Sequence, residues 1–171
     1  MTIITQEANL AWSGVRLALL NERCRTMFEQ LAGVAGVQGG CVCDNHAAVL
    51  GLLLAAEGDR RTFERIALAL SQCFGALHAR SAFKDLEVVF ERRIVVARDL
   101  GNATLAVVCS ENANLPLLRM TLNVAAGPFE GDAELQRGLK QAAISRGSTL
   151  TGERLDALAG RLLQRAGVRA A

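Results

Sequence analysis

The sequence predicts an α+β fold, and three observations predict it. Segments with helical periodicity alternate with short runs of strand periodicity. The strand runs adjoin one another through Asp, Asn and Gly turn signals. The 28 Ala and 26 Leu among 171 residues bias the remaining chain towards helix. The resulting element order is α-β-β-α-β-β-β-α, followed by a helical tail.

The first helix is marked by Leu17, Leu20, Cys24, Met27, Phe28 and Leu31 on one stripe, with Arg16, Glu22, Arg23 and Glu29 off it; Gly33 ends it. Gly36 to Cys43 reads as a strand. Asp44-Asn45-His46 is turn chemistry, because Asp and Asn side chains bond their own backbone. Ala47 to Ala55 returns as a second strand. Asp59 is a suitable N-cap for a second helix over 60–80, whose main face is Phe63, Ile66, Ala67, Leu70, Phe74 and Leu77. A second stripe of small residues, Ala69, Cys73, Ala76 and Ala79, widens the apolar arc to roughly 240°. A helix lying on one sheet buries a narrower stripe, so the surplus predicts a packing site for another helix.

Lys84 to Glu91 alternates, with Leu86, Val88 and Phe90 inward and Asp85, Glu87 and Glu91 outward; Val89 breaks the outer row. Ile94 to Ala97 follows, then a turn at Asp99–Asn102. Ala103 to Cys109 is almost wholly apolar and predicts a central strand covered on both faces. Asn112 and Asn114 offer caps, and Pro116 falls in the first turn of a third helix with Leu115, Leu118, Leu122 and Ala125 inward. Gly127-Pro128 is expected to stop it. Beyond lie helical stretches at Leu135 and Leu139 and at Leu155, Leu158, Leu162 and Leu163, with Gly147 and Gly152 between them. The divisions expected are an N-terminal arm (1–14), a domain (15–128) and a helical C-terminal extension (129–171).

Several function classes are disfavoured. Net charge is +2, with 19 basic and 17 acidic residues, and aromatics are 4% without Tyr. Neither a cationic field nor a stacking platform for nucleic acid is present. The longest uncharged apolar run, Ala47 to Ala56, is half of what a membrane span needs, and the N-terminus lacks a basic leader, so a cytoplasmic chain without membrane insertion is expected. The phosphate-loop, dinucleotide and nucleophile-elbow motifs are absent. His46 and His78 read as solvated, and Glu87 and Glu91 as edge-strand protection rather than an acid/base couple. Cys41 and Cys43 share a strand face, but no further ligands accompany them, so buried reduced thiols are expected and neither metal, cofactor nor catalytic residue is assigned.

Leu31–Asp44 (LAGVAGVQGGCVCD), Ala48–Gly51 (AVLG) and Leu105–Leu122 (LAVVCSENANLPLLRMTL), within this element order, resemble the roadblock/dynein-light-chain domain family. The entry into the last helix through Asn114, Leu115, Leu118 and Arg119 carries most of that resemblance, which spans about 100 of the 171 residues. Two departures stand out. The first hairpin turn is Asp44-Asn45-His46-Ala47 where the family has Asp-x-x-Gly, and the tail is longer than the minimal domain. That tail resembles the extensions of bacterial roadblock proteins that act with small Ras-like GTPases.

The resemblance implies a five-stranded antiparallel sheet between helices, the second helix on one face and the first and third on the other. It also implies a homodimer formed through the third strand and paired second helices. Ala69, Cys73 and Ala76, already singled out by the surplus arc, would meet there with Lys84, Glu87 and Val89. Family members bind Ras-like GTPases as regulators or scaffolds, and some bacterial ones activate GTP hydrolysis. The GTPase contact is expected at Arg60, Arg61, Glu64 and Arg65, since three cations in the first turns of a helix oppose its macrodipole and suggest a binding role. The function expected is a non-enzymatic homodimeric regulator of a small Ras-like GTPase. The alternatives are a dimerisation or scaffold adaptor without effect on nucleotide turnover, and a ligand-sensing domain.

Overall fold

The computed structural model describes residues 1–5, 14–55, 59–78 and 84–142, with the side chains of 14–16 and 75–78 outside that description. Its elements are β1 (Thr2–Thr5), α1 (Gly14–Ala32), β2 (Val37–Asp44), β3 (Val49–Leu54), α2 (Arg60–His78), β4 (Asp85–Val89), β5 (Arg93–Asp99), β6 (Ala103–Ser110) and α3 (Leu115–Glu130). A fourth helix, α4, runs over 133–142.

All strand pairs are antiparallel, in the spatial order β1-β3-β2-β6-β5-β4. The sheet therefore has six strands, not the five expected. The extra strand comes from the N-terminal arm: Thr2-Ile3-Ile4-Thr5 is β-branched throughout and pairs with Leu54 to Gly51 of β3. Four residues are too few to display alternation in the sequence, and only pairing with β3 and the packing of Ile3 on the core give them a place.

The two faces are covered as the resemblance implies. On one, α1, α3 and α4 meet the sheet in a core that includes Phe28, Leu31, Leu53, Leu105, Leu118, Leu122 and Phe129. On the other, α2 lays Phe63, Ala67, Leu70 and Phe74 over Cys41, Leu52, Val95, Ala97 and Val108. Central β6, hydrogen-bonded on both sides, is buried through its first seven residues. Two glycines let helices approach: a Cβ on Gly39 would lie 2.7 Å from Phe63 of α2, and one on Gly51 would lie 3.2 Å from Cys24 and Phe28 of α1.

The turn between β2 and β3 is closed by buried Asp44, whose Oδ1 accepts from the N–H of His46 at 2.9 Å and of Ala48 at 2.8 Å. Ala47 there has φ 64°, the left-handed conformation that a glycine adopts without a Cβ penalty. The residue that departs from the family pattern thus still holds the conformation the pattern requires.

Asn114 caps α3 by accepting from the N–H of Leu117 at 3.0 Å. The helix does not stop at Gly127-Pro128, as expected, but continues to Glu130. Pro128 removes one backbone bond, and the carbonyl that loses its partner belongs to Val124, an exposed residue. Burial of Phe129 favours the extra turn, and the N–H of Gly131 closes it on the Gly127 carbonyl at 2.9 Å. Asp132 then caps α4, accepting from the N–H of Leu135 at 3.0 Å and pairing with Arg23 of α1 at 3.2 Å. The Leu135 N–H bond, aided by Arg23, holds the Asp132 carboxyl below its ordinary pKa. Leu135 and Leu139 belong to the α1/α3 core, so the packed unit extends past residue 128. The stretch with Leu155, Leu158, Leu162 and Leu163 lies outside the described residues.

Candidate functional site

Strand β4 stands at one end of the sheet and, among the described residues, pairs only with β5. Its other side presents a row of backbone donors and acceptors that a second strand can pair with. Asp85 and Glu87 face α3 and are tied there. The Arg98 guanidinium donates to Asp85 at 2.6 and 2.8 Å and to Asn123 at 2.6 Å, Arg119 meets Glu87 at 2.7 Å, and Lys84 meets Glu130 at 2.9 Å. The Asp85 bond raises the Arg98 pKa, so this nearly buried side chain stays charged. These charges fasten β4 to α3, a role that edge protection alone does not contain.

Leu86 and Val88 face α2, as the alternation predicts, but Phe90 does not go inward: it is 57% exposed. Its neighbour Val89 is 72% exposed. Strand β4 ends at Val89, and a groove lies between α2 and the β4–β5 turn, so Phe90 borders that groove instead of filling a core. The groove has a volume of about 660 Å³ and is lined by Ile66, Ala69, Cys73, Val88, Phe90 and Val95, among others, with Arg92 and Arg93 at its end.

On α2, Ala69 and Cys73 are exposed on the flank next to β4. Ala76 lies in the same helix, but its side chain is outside the described residues. Of the expected dimer set, the structure thus brings Ala69 and Cys73 to the groove beside the β4 edge, places Val89 at that edge, and holds Lys84 and Glu87 in ion pairs with α3.

The expected GTPase set lies at the start of α2. Asp59 accepts from the N–H of Arg61 at 3.0 Å, which caps the helix. Arg60 and Glu64 pair at 3.0 Å and border a recess of about 400 Å³ with Ala47, Ala48, Val49 and Leu68. Arg61 and Arg65 lie on the outermost face of the helix, exposed and without an ion-pair partner among the described residues. Leu68, 45% exposed, adjoins them; it has no signal in the sequence because it belongs to neither apolar stripe.

Cys41 and Cys43 both face α2, and their thiols donate weakly to the Phe63 and Thr104 carbonyls. Burial pushes the Cys24 and Cys43 thiols up to about 12 and Cys109 to about 11, which keeps them protonated and inert. Among the described residues no three His, Cys, Asp or Glu side chains gather as a metal site, and no helix is long and apolar enough to cross a membrane.

The solved structures that this chain resembles share one architecture. A Roadblock/LC7 domain from Streptomyces avermitilis superposes with a TM-score of 0.54 at 12% identity, covering 61% of this chain and 91% of its own. The fold is that of a Roadblock/LC7 domain. Two MglB structures align over more of the chain. One, described as MglB with a tetrameric arrangement, gives a TM-score of 0.58 at 19% identity over 80% of this chain and 99% of its own. The other, the gliding protein MglB from Thermus thermophilus, gives 0.57 at 18% identity over 80% of this chain and its full length. No family model matches the sequence, and no curated protein matches it either. In this frame, the β4 edge, unpaired among the described residues, and the α2 flank form one continuous surface, with the cationic α2 start on the same side of the sheet.

Proposed function

We infer that this chain is a non-enzymatic homodimeric regulator that binds a small Ras-like GTPase and modulates its nucleotide state. The observation that carries the reading is the uncovered α2/β4 surface on a Roadblock/LC7 fold. An edge strand, an apolar groove and exposed Ala69, Cys73, Val89 and Phe90 lie together on it. A second copy would extend the sheet at β4, fixing register by backbone bonds, while the small side chains let two α2 helices approach closely. Self-assembly in an MglB of this fold, described as tetrameric, supports the same reading.

The GTPase would dock on the α2 starts that such a dimer presents, with exposed Arg61 and Arg65 as cations and Leu68 as an apolar contact. Regulation of this kind works by repositioning the partner's switch loops and needs no inserted arginine. A GTPase partner of this class also places the chain in the cytoplasm.

The test is to add the purified protein to GTP-loaded Ras-like GTPases of the same cell and to follow both hydrolysis and nucleotide release. A regulator changes one of the two rates. Arg61→Ala with Arg65→Ala should weaken binding about tenfold or more while leaving the dimer intact, since both side chains are exposed. Binding without a rate change would favour the scaffold reading, and unchanged affinity in the double variant would move the contact elsewhere.

A further inference from the structure

The groove beside β4 is deeper than a seam between two helices needs. Its floor is Val95 and Val108, both buried, and buried Leu70 of α2 adjoins them. One wall is the α2 flank of Ile66, Ala69 and Cys73, and the other is Val88 and Phe90. Its volume of about 660 Å³ falls in the range of small-molecule sites, which are mostly apolar with a few polar groups that fix orientation. A second copy pairing here would bring its own Ala69 and Cys73 to the rim, and side chains that short do not reach the floor.

The polar groups of the groove stand together at one end. Register in the β4–β5 hairpin sets Val88 opposite Val95 and Val89 opposite Ile94, and the Phe90 N–H donates to the Arg93 carbonyl at 2.8 Å. Phe90 and Arg93 therefore stand opposite each other on the α2 face, with Glu91 and Arg92 as the turn residues between them. Arg92 and Arg93 are exposed and enter none of the ion pairs among the described residues. Among those residues, the charged groups in the lining are Glu91, Arg92 and Arg93, so two cations against one anion leave a single positive charge. Arg65, one turn before Ala69, and Glu111, next to the Arg93 partner Ser110, lie outside the lining and offset each other.

We propose that this groove binds a monoanionic amphiphile, an alkyl carboxylate whose tail lies along Val95 and Val108 and whose head group meets Arg92 and Arg93. The single net positive charge favours a carboxylate over a doubly charged phosphate. A guanidinium also presents a planar pair of N–H donors that matches two carboxylate oxygens. Phe90, held opposite Arg93, would cover the start of the tail. A nucleotide or sugar is a poorer match, because its polar atoms would lose water against valine walls that offer no hydrogen bond. The site is built by one chain, so it stands beside the pairing of two copies and not upon it.

Isothermal titration of the full chain with decanoate, below its micelle concentration, tests this. Decanoate should bind saturably, a single molecule per chain, and should raise the urea midpoint. Arg92→Ala with Arg93→Ala should weaken it about tenfold or more, the scale of a lost charged hydrogen bond, while 1-decanol binds as before. Cys73→Trp fills the groove from an exposed position and should abolish binding of both. Decyl phosphate should bind more weakly than decanoate. No binding to the wild type, several molecules per chain, undiminished decanoate affinity in the arginine variant, a parallel loss of 1-decanol there, retained binding in Cys73→Trp, or phosphate binding as tight as carboxylate would overturn the proposal. So would decanoate binding that emerges only in Phe90→Ala, since a second copy's Phe90 would then be the occupant. Sedimentation of the same samples reads the pairing separately: one decanoate on a monomeric chain supports the site while counting against the dimer.

Discussion

The two faces of the sheet are finished to different degrees. Against α1, α3 and α4, 24 of the described residues form a continuous core; against α2 alone, 13 do. The first face is crossed by ion pairs of Arg23 with Asp132, Arg98 with Asp85 and Arg119 with Glu87. The second ends in a groove with Phe90 and Val89 at its lip. The difference separates what holds the monomer together from what the monomer offers to others.

The largest expected effect lies on the finished face. Phe28→Ala removes a fully buried ring between α1 and the sheet and should cost about 3–5 kcal/mol in urea unfolding. A loss below about 1 kcal/mol would mean that this face is not the foundation.

The clamp between β4 and α3 comes next. Asp85→Ala leaves the buried Arg98 guanidinium with Asn123 alone, and should cost about 2 kcal/mol, a moderate figure because Asp85 is itself 43% exposed. Because the clamp also positions the edge strand, self-association should weaken in parallel. Loss of stability with undiminished association would detach the clamp from the interface.

A smaller effect of opposite sign is expected at the hairpin turn. Ala47→Gly relieves a Cβ at φ 64° and should stabilise by about 1 kcal/mol, read as a rise in the urea midpoint at unchanged slope.

Much of this architecture was legible in the sequence. The distribution of helices over two faces was implied by the family resemblance alone, whereas the apolar stripe from Leu20 to Leu31, the two-sided burial of 103–109 and the Asp59 and Asn114 caps follow from periodicity and cap chemistry. Those are local signals. What escaped was set by partners distant in sequence. Thr2–Thr5 becomes a strand only because β3 has a free edge. Phe90 stays out because a groove separates the β4–β5 turn from α2. Pro128 sits inside a helix because Phe129 has a place in the core. The candidate interface shows the same split. Ala69 and Cys73 were visible as a surplus of small residues, whereas the Arg98–Asp85–Asn123 clamp joins three elements and has no pattern along the chain.

The central claim is that the α2/β4 surface is where this chain meets its copy. Sedimentation velocity at tens of micromolar, on the wild type and on Ala69→Arg, tests it most directly. Ala69 is exposed in the monomer, so arginine there leaves the fold intact, yet in the dimer it would bury an unpaired charge between two α2 helices. The wild type should sediment as a dimer and the variant as a folded monomer with an unchanged circular dichroism spectrum. A monomeric wild type, or a variant as dimeric as the wild type, would contradict the account.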